Sequence, residues 1–218
     1  MRFYRSLTAL LGWTGLVLFF YETTAHKTGP ALVHGIIIYF SYFTILSNIL
    51  VAVCLTFSCS EPRTPMGKLV NGPGLRTSAA VYIIVTGTVY VVFLRALSPP
   101  GLVLFIANVL LHYVVPALYV VDWLIFVPKG MLRWNQVLYR LAFPLLYAAY
   151  TFIHGALTGF YPYYFINAAK LGYPAVLLNC LYLMVTFVAL GSVLTATDRW
   201  MGRRKIDRPL QSSTKKLR

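Results

Sequence analysis

Residues 102 to 126 read LVLFIANVLLHYVVPALYVVDWLIF, twenty-five positions with no lysine, arginine or glutamate and a single acid, Asp122, near the far end. As a helix rising about 1.5 Å per residue, this stretch is long enough to cross the roughly 30 Å hydrocarbon core of a bilayer. Working outward, comparable apolar runs lie at about 6–22, 34–57, 78–97, 137–159 and 174–197. Turn-forming stretches separate them: Glu22 to Pro30, Ser58 to Leu75, Ser98-Pro99-Pro100-Gly101, Pro128 to Trp134 and Tyr161 to Gly172. The expected fold is all-α: a polytopic membrane protein, a bundle of six transmembrane helices over 1–198 followed by a basic cytoplasmic tail over 199–218.

Composition points the same way. Of 218 residues, 59% are hydrophobic, 16% aromatic and 11% charged, which leaves no stretch able to build a water-soluble catalytic domain. Any activity is therefore housed among the helices. The net charge of +14 would suggest nucleic acid in a soluble protein. Here the basic residues stand at segment ends and in the tail, so the expected partners are the bilayer and a lipid, with no nucleic acid.

With the N-terminus cytoplasmic, sixteen basic residues fall on the inner side, among them Arg2, Arg5, Arg63, Lys68, Arg76, Lys129, Arg133 and Arg140. Only Lys27, Arg95 and Lys170 fall outside, an asymmetry that gives N-in and C-in. The inner membrane of a bacterial cell is the expected location. The start can also be read as a signal peptide, with Thr23-Thr24-Ala25 as a weak cleavage site, but the even number of crossings favours a retained first helix. Cys54, Cys59 and Cys180 form no metal-ligand spacing and read as free thiols. Trp123, Trp134 and Trp200, near inner ends, read as interfacial anchors, and the tail as a solvated basic segment.

Polar side chains at depth are costly in hydrocarbon, so they mark structure or work. Thr44 lies ten residues past His34, and His112 ten past Leu102, on two segments that both run outside to inside; each is thus roughly 15 Å in. Asn48 follows Thr44 by four and Asn108 precedes His112 by four, so each pair shares a helix face and the two faces can converge on one polar cluster. Ser47 stands beside Asn48, and His154 about one turn from the level of His112. Asp122 is about 15 Å deeper than His112 and reads as an inner-rim partner for Lys129, Arg133 or Arg140.

Each reading has a plainer rival. A membrane-helix threonine most often bonds its own i−4 carbonyl, here that of Phe40, and buried asparagines most often join helices. The aromatic run Tyr161 to Phe165 reads by composition as an interfacial girdle. The chemistry such a cluster supports is acyl transfer: a neutral histidine takes the threonine proton as the hydroxyl attacks an acyl carbon, with amides such as Asn48 or Asn108 holding the oxyanion. No GxSxG, HExxH or glycine-rich phosphate loop occurs, and five carboxylates are too few for a hard-metal site, so no cofactor or metal is expected. Two alternatives stay open: a non-enzymatic lipid or small-molecule binder or transporter, and a b-type haem held by His112 and His154.

The order Tyr39-Phe40-Ser41-Tyr42-Phe43-Thr44-Ile45-Leu46-Ser47-Asn48, then His112-Tyr113-Val114-Val115-Pro116, then His154-Gly155 through Gly159-Phe160-Tyr161-Pro162-Tyr163-Tyr164-Phe165, resembles the androgen-induced-protein family, to which the androgen-dependent TFPI-regulating protein belongs. The chain looks like a bacterial relative of that family. The resemblance covers helices two to five. It implies a six-helix intramembrane hydrolase of fatty acid esters of hydroxy fatty acids, with the family's nucleophile falling on Thr44 and its base on His112. The fifth segment departs from the animal members by carrying one histidine, His154, where they have a pair, and the segment around Asp122-Trp123 differs in character.

Overall fold

The computed structural model describes residues 1–59, 64–97 and 101–215, all helix and connections with no strand among them. Arg63, assigned above to an inner connection, lies outside the described residues. In chain order the helices are α1 (Arg2–Thr24), α2 (Gly29–Phe40), α3 (Phe43–Cys59), α4 (Pro65–Asn71), α5 (Pro73–Val89), α6 (Leu102–Val109), α7 (Val115–Phe126), α8 (Gln136–Tyr139), α9 (Ala142–Thr158), α10 (Ala168–Leu171) and α11 (Tyr173–Lys215). One π-helical turn, Tyr90–Leu94, extends α5, and another, Leu110–Val114, joins α6 to α7. Five helical stretches are long and apolar enough to cross a membrane, or six if α2 and α3 count as one broken span. Leu7, Leu10, Val17, Leu145, Leu146, Leu157 and Val185 turn outward from the bundle, as lipid-facing side chains do.

The second expected crossing, 34–57, is not one helix. α2 and α3 meet at a 70° bend across Ser41 and Tyr42, with neither proline nor glycine at the break. The carbonyl of Ser41 has left the helical ladder and accepts from the Tyr147 hydroxyl at 2.9 Å, while the Ser41 hydroxyl sits 2.7 Å from both Tyr150 Oη and the Ile37 carbonyl. The Ile45 N–H turns instead to the Tyr42 carbonyl. Tyr147 of α9 thus replaces the backbone donor that the Ser41 carbonyl loses at the bend, and Tyr150 holds the Ser41 hydroxyl, which is what makes a buried break tolerable. Depth along α2 therefore does not add to depth along α3 in the way a straight helix would require.

α1 packs along α3 and α6, α3 against α5, and α5 against α7 and α11. Leu16 and Gly15 of α1 lie against the π turn; a Cβ on Gly15 would stand 2.9 Å from the Leu111 side chain. A core of Val51, Leu55, Val81, Ile83, Val115 and Tyr119 fills the bundle centre. Trp123 belongs to that core and not to an interfacial belt: it is buried and donates to Thr77 Oγ1 at 2.9 Å. Trp134 and Trp200 are exposed. The stretch after Arg199, expected as a solvated tail, continues α11 as helix to Lys215. Its start is braced by Gly202 against Gly130 and by Arg204 over the Trp200 ring at 3.7 Å.

Asp122 is fully buried, and its partners are not the expected Lys129, Arg133 or Arg140. Arg5 Nε of α1 donates to Oδ1 at 2.6 Å, and Arg76 Nη2 of α5 donates to Oδ2. The connection holding Lys129 turns that ammonium onto the carbonyls of Trp123 and Val127. Arg140 instead donates to Thr195 of α11. The three-residue ion cluster ties α1, α5 and α7 together at the end of the bundle opposite the α2–α3 bend.

Candidate catalytic site at the broken helix

Thr44 is the second residue of α3. In an unbroken helix its amide would bond the Phe40 carbonyl and its hydroxyl would bond back to the same group. The bend removes that carbonyl. The Thr44 N–H donates to Tyr163 Oη at 3.2 Å, and Thr44 Oγ1 lies 3.3 Å from His112 Nε2 and 3.3 Å from Tyr163 Oη. The plain reading of Thr44 as a self-bonded helix residue therefore fails, because the break that exposes its amide also frees its hydroxyl.

His112 owes its position to Pro116. A proline four residues on offers no N–H to the His112 carbonyl and crowds it, and the chain responds by widening into the π turn. Val115 N–H bonds the carbonyl of Leu110, and Pro116 has none to give, so the Leu111 carbonyl is left without its usual helical donor. Asn48 fills the gap: its Nδ2 donates to the Leu111 carbonyl at 3.2 Å and to the Thr44 carbonyl at 2.9 Å. Gly87 lets α5 press on the same turn, since a Cβ there would stand 2.9 Å from the His112 carbonyl oxygen.

The tautomer of His112 follows from its partners. Nδ1 lies 3.1 Å from the Asn108 carbonyl oxygen, which can only accept, so Nδ1 carries the proton. Nε2 then presents a lone pair to Thr44 Oγ1, whose hydroxyl donates to it. Tyr90 stacks on the imidazole, ring centres 3.8 Å apart and 14° from parallel, and fixes the ring plane.

The remaining expected site residues divide. Asn108 lines the same cavity as His112, one turn back on α6. Asn48 and Ser47 are near Thr44 but fully buried: both Asn48 donors are committed to backbone carbonyls, and Ser47 Oγ bonds the Thr44 carbonyl at 3.1 Å and Thr86 Oγ1 at 2.8 Å. They shape the site without facing it. His154 stands apart, stacked on Tyr150 with ring centres 5.5 Å apart, and lines neither of the two cavities at Thr44. The two imidazoles thus do not share a cavity wall, as ligation of one haem from both faces requires.

Tyr163 is the site residue that sequence reasoning missed. Its turn is held by three devices. Asn179 Nδ2 of α11 donates to the Phe165 carbonyl at 2.7 Å, Tyr163 stacks on Phe165, and the Tyr161 ring lies in a niche on α9 that exists because residue 155 is glycine. A Cβ on Gly155 would stand 2.3 Å from Tyr161 Cε1. Gly155→Ala should accordingly displace that ring and destabilise the fold by about 1–3 kcal/mol, read as a lowered Tm of the purified protein. An unchanged Tm would mean that the turn is not held through this niche.

Two cavities meet at Thr44. One, about 70 Å³, is a narrow apolar cleft among α3, α5, α9 and α11, walled by residues such as Val85, Ala148, Phe152, Met184 and Phe187. The other, about 240 Å³, is more polar and is bounded by Phe19, Tyr42, Tyr90, Leu104, Asn108 and His112. Thr44, Leu94 and Tyr163 line both. Among the described residues no three His, Cys, Asp or Glu side chains converge as metal ligands. No protein-family model, curated protein or solved structure matches the chain.

Proposed function

We propose that the chain is an intramembrane hydrolase of lipid esters, with Thr44 as nucleophile and His112 as general base. The observation that carries this reading is the 3.3 Å approach of Thr44 Oγ1 to a His112 Nε2 whose lone pair is fixed by the Nδ1–H bond to Asn108. Thr44 Oγ1 attacks the ester carbonyl carbon and its proton passes to Nε2. The tetrahedral adduct then expels the alcohol, which takes that proton, and leaves an acyl-threonine. Water, deprotonated by the same imidazole, releases the fatty acid and restores the hydroxyl. The linings of the two cavities suit the two sides of an ester: the apolar cleft takes the part of an acyl chain next to the carbonyl, and the wider space toward Asn108 and Tyr42 takes the alcohol portion. The resemblance carried by Tyr39 to Asn48, His112 to Pro116 and His154 to Phe165 supports esters of hydroxy fatty acids as the first substrates to try.

The test is a lipid-ester panel on the purified protein in nanodiscs, with labelling by an acyl-reactive fluorophosphonate mapped by peptide mass. Hydrolysis with label on Thr44 supports the reading. Binding of lipid without turnover, or a passage open to both faces, would make the polar cluster a headgroup site of a binder or transporter instead.

The proposed setting is six crossings in a bacterial inner membrane, and its N-in, C-in orientation is supported by the sixteen-to-three distribution of basic residues. On a background lacking Cys54, Cys59 and Cys180, a reporter cysteine at the exposed Lys68 should react with an impermeant maleimide only after permeabilisation, and one at the exposed Lys170 should react in intact cells. The opposite pattern would invert the orientation.

A further inference from the structure

We infer that the Tyr163 hydroxyl is the hydrogen-bond donor that holds the developing oxyanion when Thr44 attacks, so that Tyr163 is a third catalytic residue. This rests on the hydrolase reading above. Attack on an ester converts the carbonyl oxygen into an alkoxide one carbon away from Thr44 Oγ1, and in a dry site that charge needs a placed donor. The donors around Thr44 can be taken in turn. The Asn108 amide lines the wider cavity with His112, but no hydrogen bond joins it to Thr44, whereas Tyr163 touches the nucleophile itself. Asn48 has both N–H groups on backbone carbonyls and is fully buried. Ser47 is turned to the Thr44 carbonyl and Thr86. The one N–H of His112 is on Asn108, and its Nε2 must stay free to receive the threonine proton.

Tyr163 differs in where its proton rests. The Thr44 hydroxyl donates to His112, so the 3.3 Å contact between Tyr163 Oη and Thr44 Oγ1 has the phenol as donor and the nucleophile's own oxygen as acceptor. When Oγ1 bonds the acyl carbon and passes its proton to His112, it becomes the bridging oxygen of the adduct, a far weaker acceptor than the alkoxide forming beside it. The oxygen that gains charge is the carbonyl's, and the phenol proton moves its bond to it. The interaction is therefore stronger in the transition state than in the ground state, the condition for raising the rate and not merely tightening binding. Tyr163 keeps its proton throughout: the threonine proton goes to His112 Nε2 and then to the leaving alcohol, and the carbonyl electron pair returns when the C–O bond to the alcohol breaks.

The phenol is also prepared for this role. The Thr44 N–H donates to Tyr163 Oη at 3.2 Å, and a hydroxyl oxygen that accepts a hydrogen bond donates a stronger one. Tyr163 lines both cavities, so a carbonyl lodged between an acyl chain in one and an alcohol in the other passes beside it. Its ring is fixed by the stack on Phe165, with centres 5.3 Å apart, and by the edge contact with Tyr42 at 5.9 Å. Removing the oxygen alone leaves both ring contacts in place.

Tyr163→Phe, in the full chain in nanodiscs, should lower kcat by about 10²–10³-fold with KM changed by no more than about threefold. Affinity for a long-chain trifluoromethyl ketone, which forms the tetrahedral adduct, should fall by the same factor as kcat/KM, whereas affinity for the product fatty acid should not move. A purely structural role would weaken both ligands alike. Fluorotyrosine at 163, which keeps shape and hydroxyl, should restore turnover to within a few-fold of wild type. Full activity of Tyr163→Phe beside a dead Thr44→Ala would overturn the role of Tyr163 and leave the hydrolase standing. Absence of turnover and of Thr44 labelling in the wild type would overturn both. Should Tyr163→Phe fail to fold, the fluorotyrosine series decides: a rate that ignores phenol acidity across one to three ring fluorines would overturn the role.

Discussion

Thr44→Ala and His112→Ala are each expected to abolish ester hydrolysis, by a factor on the order of 10³–10⁶ in kcat, and the double variant should be no worse than either single. The non-additivity follows from the geometry. Without His112 Nε2 at 3.3 Å, the Thr44 hydroxyl has no group to take its proton, and without Thr44 the imidazole has nothing to activate. Neither residue retains a partial function for the second substitution to remove. Substrate affinity should change little, because the cavity walls formed by α5, α9 and α11 are untouched. Initial rates on a lipid ester, with monodispersity and helical content confirmed for each variant, provide the measurement. A single variant keeping a tenth of wild-type turnover would sink the dyad, and so would losses that multiply in the double.

Much of this site was legible, though partly through compensating errors. Counting ten residues from His34 and ten from Leu102 placed Thr44 and His112 at one level, and they do meet. The path from His34 to Thr44 nevertheless contains a 70° bend, so equal counts did not mean equal depth along equal helices. The bend was hidden because nothing within ten residues of Ser41 forbids a helix except the modest competition of its hydroxyl. The groups that hold the bend, Tyr147 on the Ser41 carbonyl and Tyr150 on the Ser41 hydroxyl, are more than a hundred positions away in sequence. Pro116, by contrast, is a local signal, and the π turn it imposes accounts for the place of His112 and the commitment of Asn48. Tyr163 could not have been separated from its aromatic neighbours by composition. Its role depends on which of several tyrosines the niche at Gly155 and the Asn179 contact turn inward. The partners of Asp122 were misassigned for a related reason: nearness in sequence favoured Lys129, whereas α1 and α5 bring Arg5 and Arg76 to it from 117 and 46 positions away.

That ion cluster yields the largest expected loss of stability. Asp122 is fully buried between Arg5 and Arg76, both buried as well; Arg76 also donates to Ser58 and accepts, through its backbone carbonyl, from Tyr119. Removing the carboxylate leaves two guanidinium groups facing one another with no counter-charge and little water. Asp122→Ala should therefore destabilise the bundle by about 3–5 kcal/mol, most of it the cost of the orphaned cations and not the intrinsic worth of the pair. Asp122→Asn, which keeps the volume and one acceptor oxygen, should fall between wild type and Asp122→Ala. The triple replacement Arg5→Met, Asp122→Leu, Arg76→Met removes all three charges together and should recover a large part of the loss, as apolar substitutes for buried ion clusters do. Thermal or denaturant unfolding of the four proteins in one detergent would order them. Because the cluster stands about three helical turns from His112 along the same helical stretch, Asp122→Asn that remains folded should turn over substrate at a rate within a few-fold of wild type. A folded Asp122→Asn with unaltered Tm and lost turnover would reverse this assignment and make the carboxylate part of the chemistry.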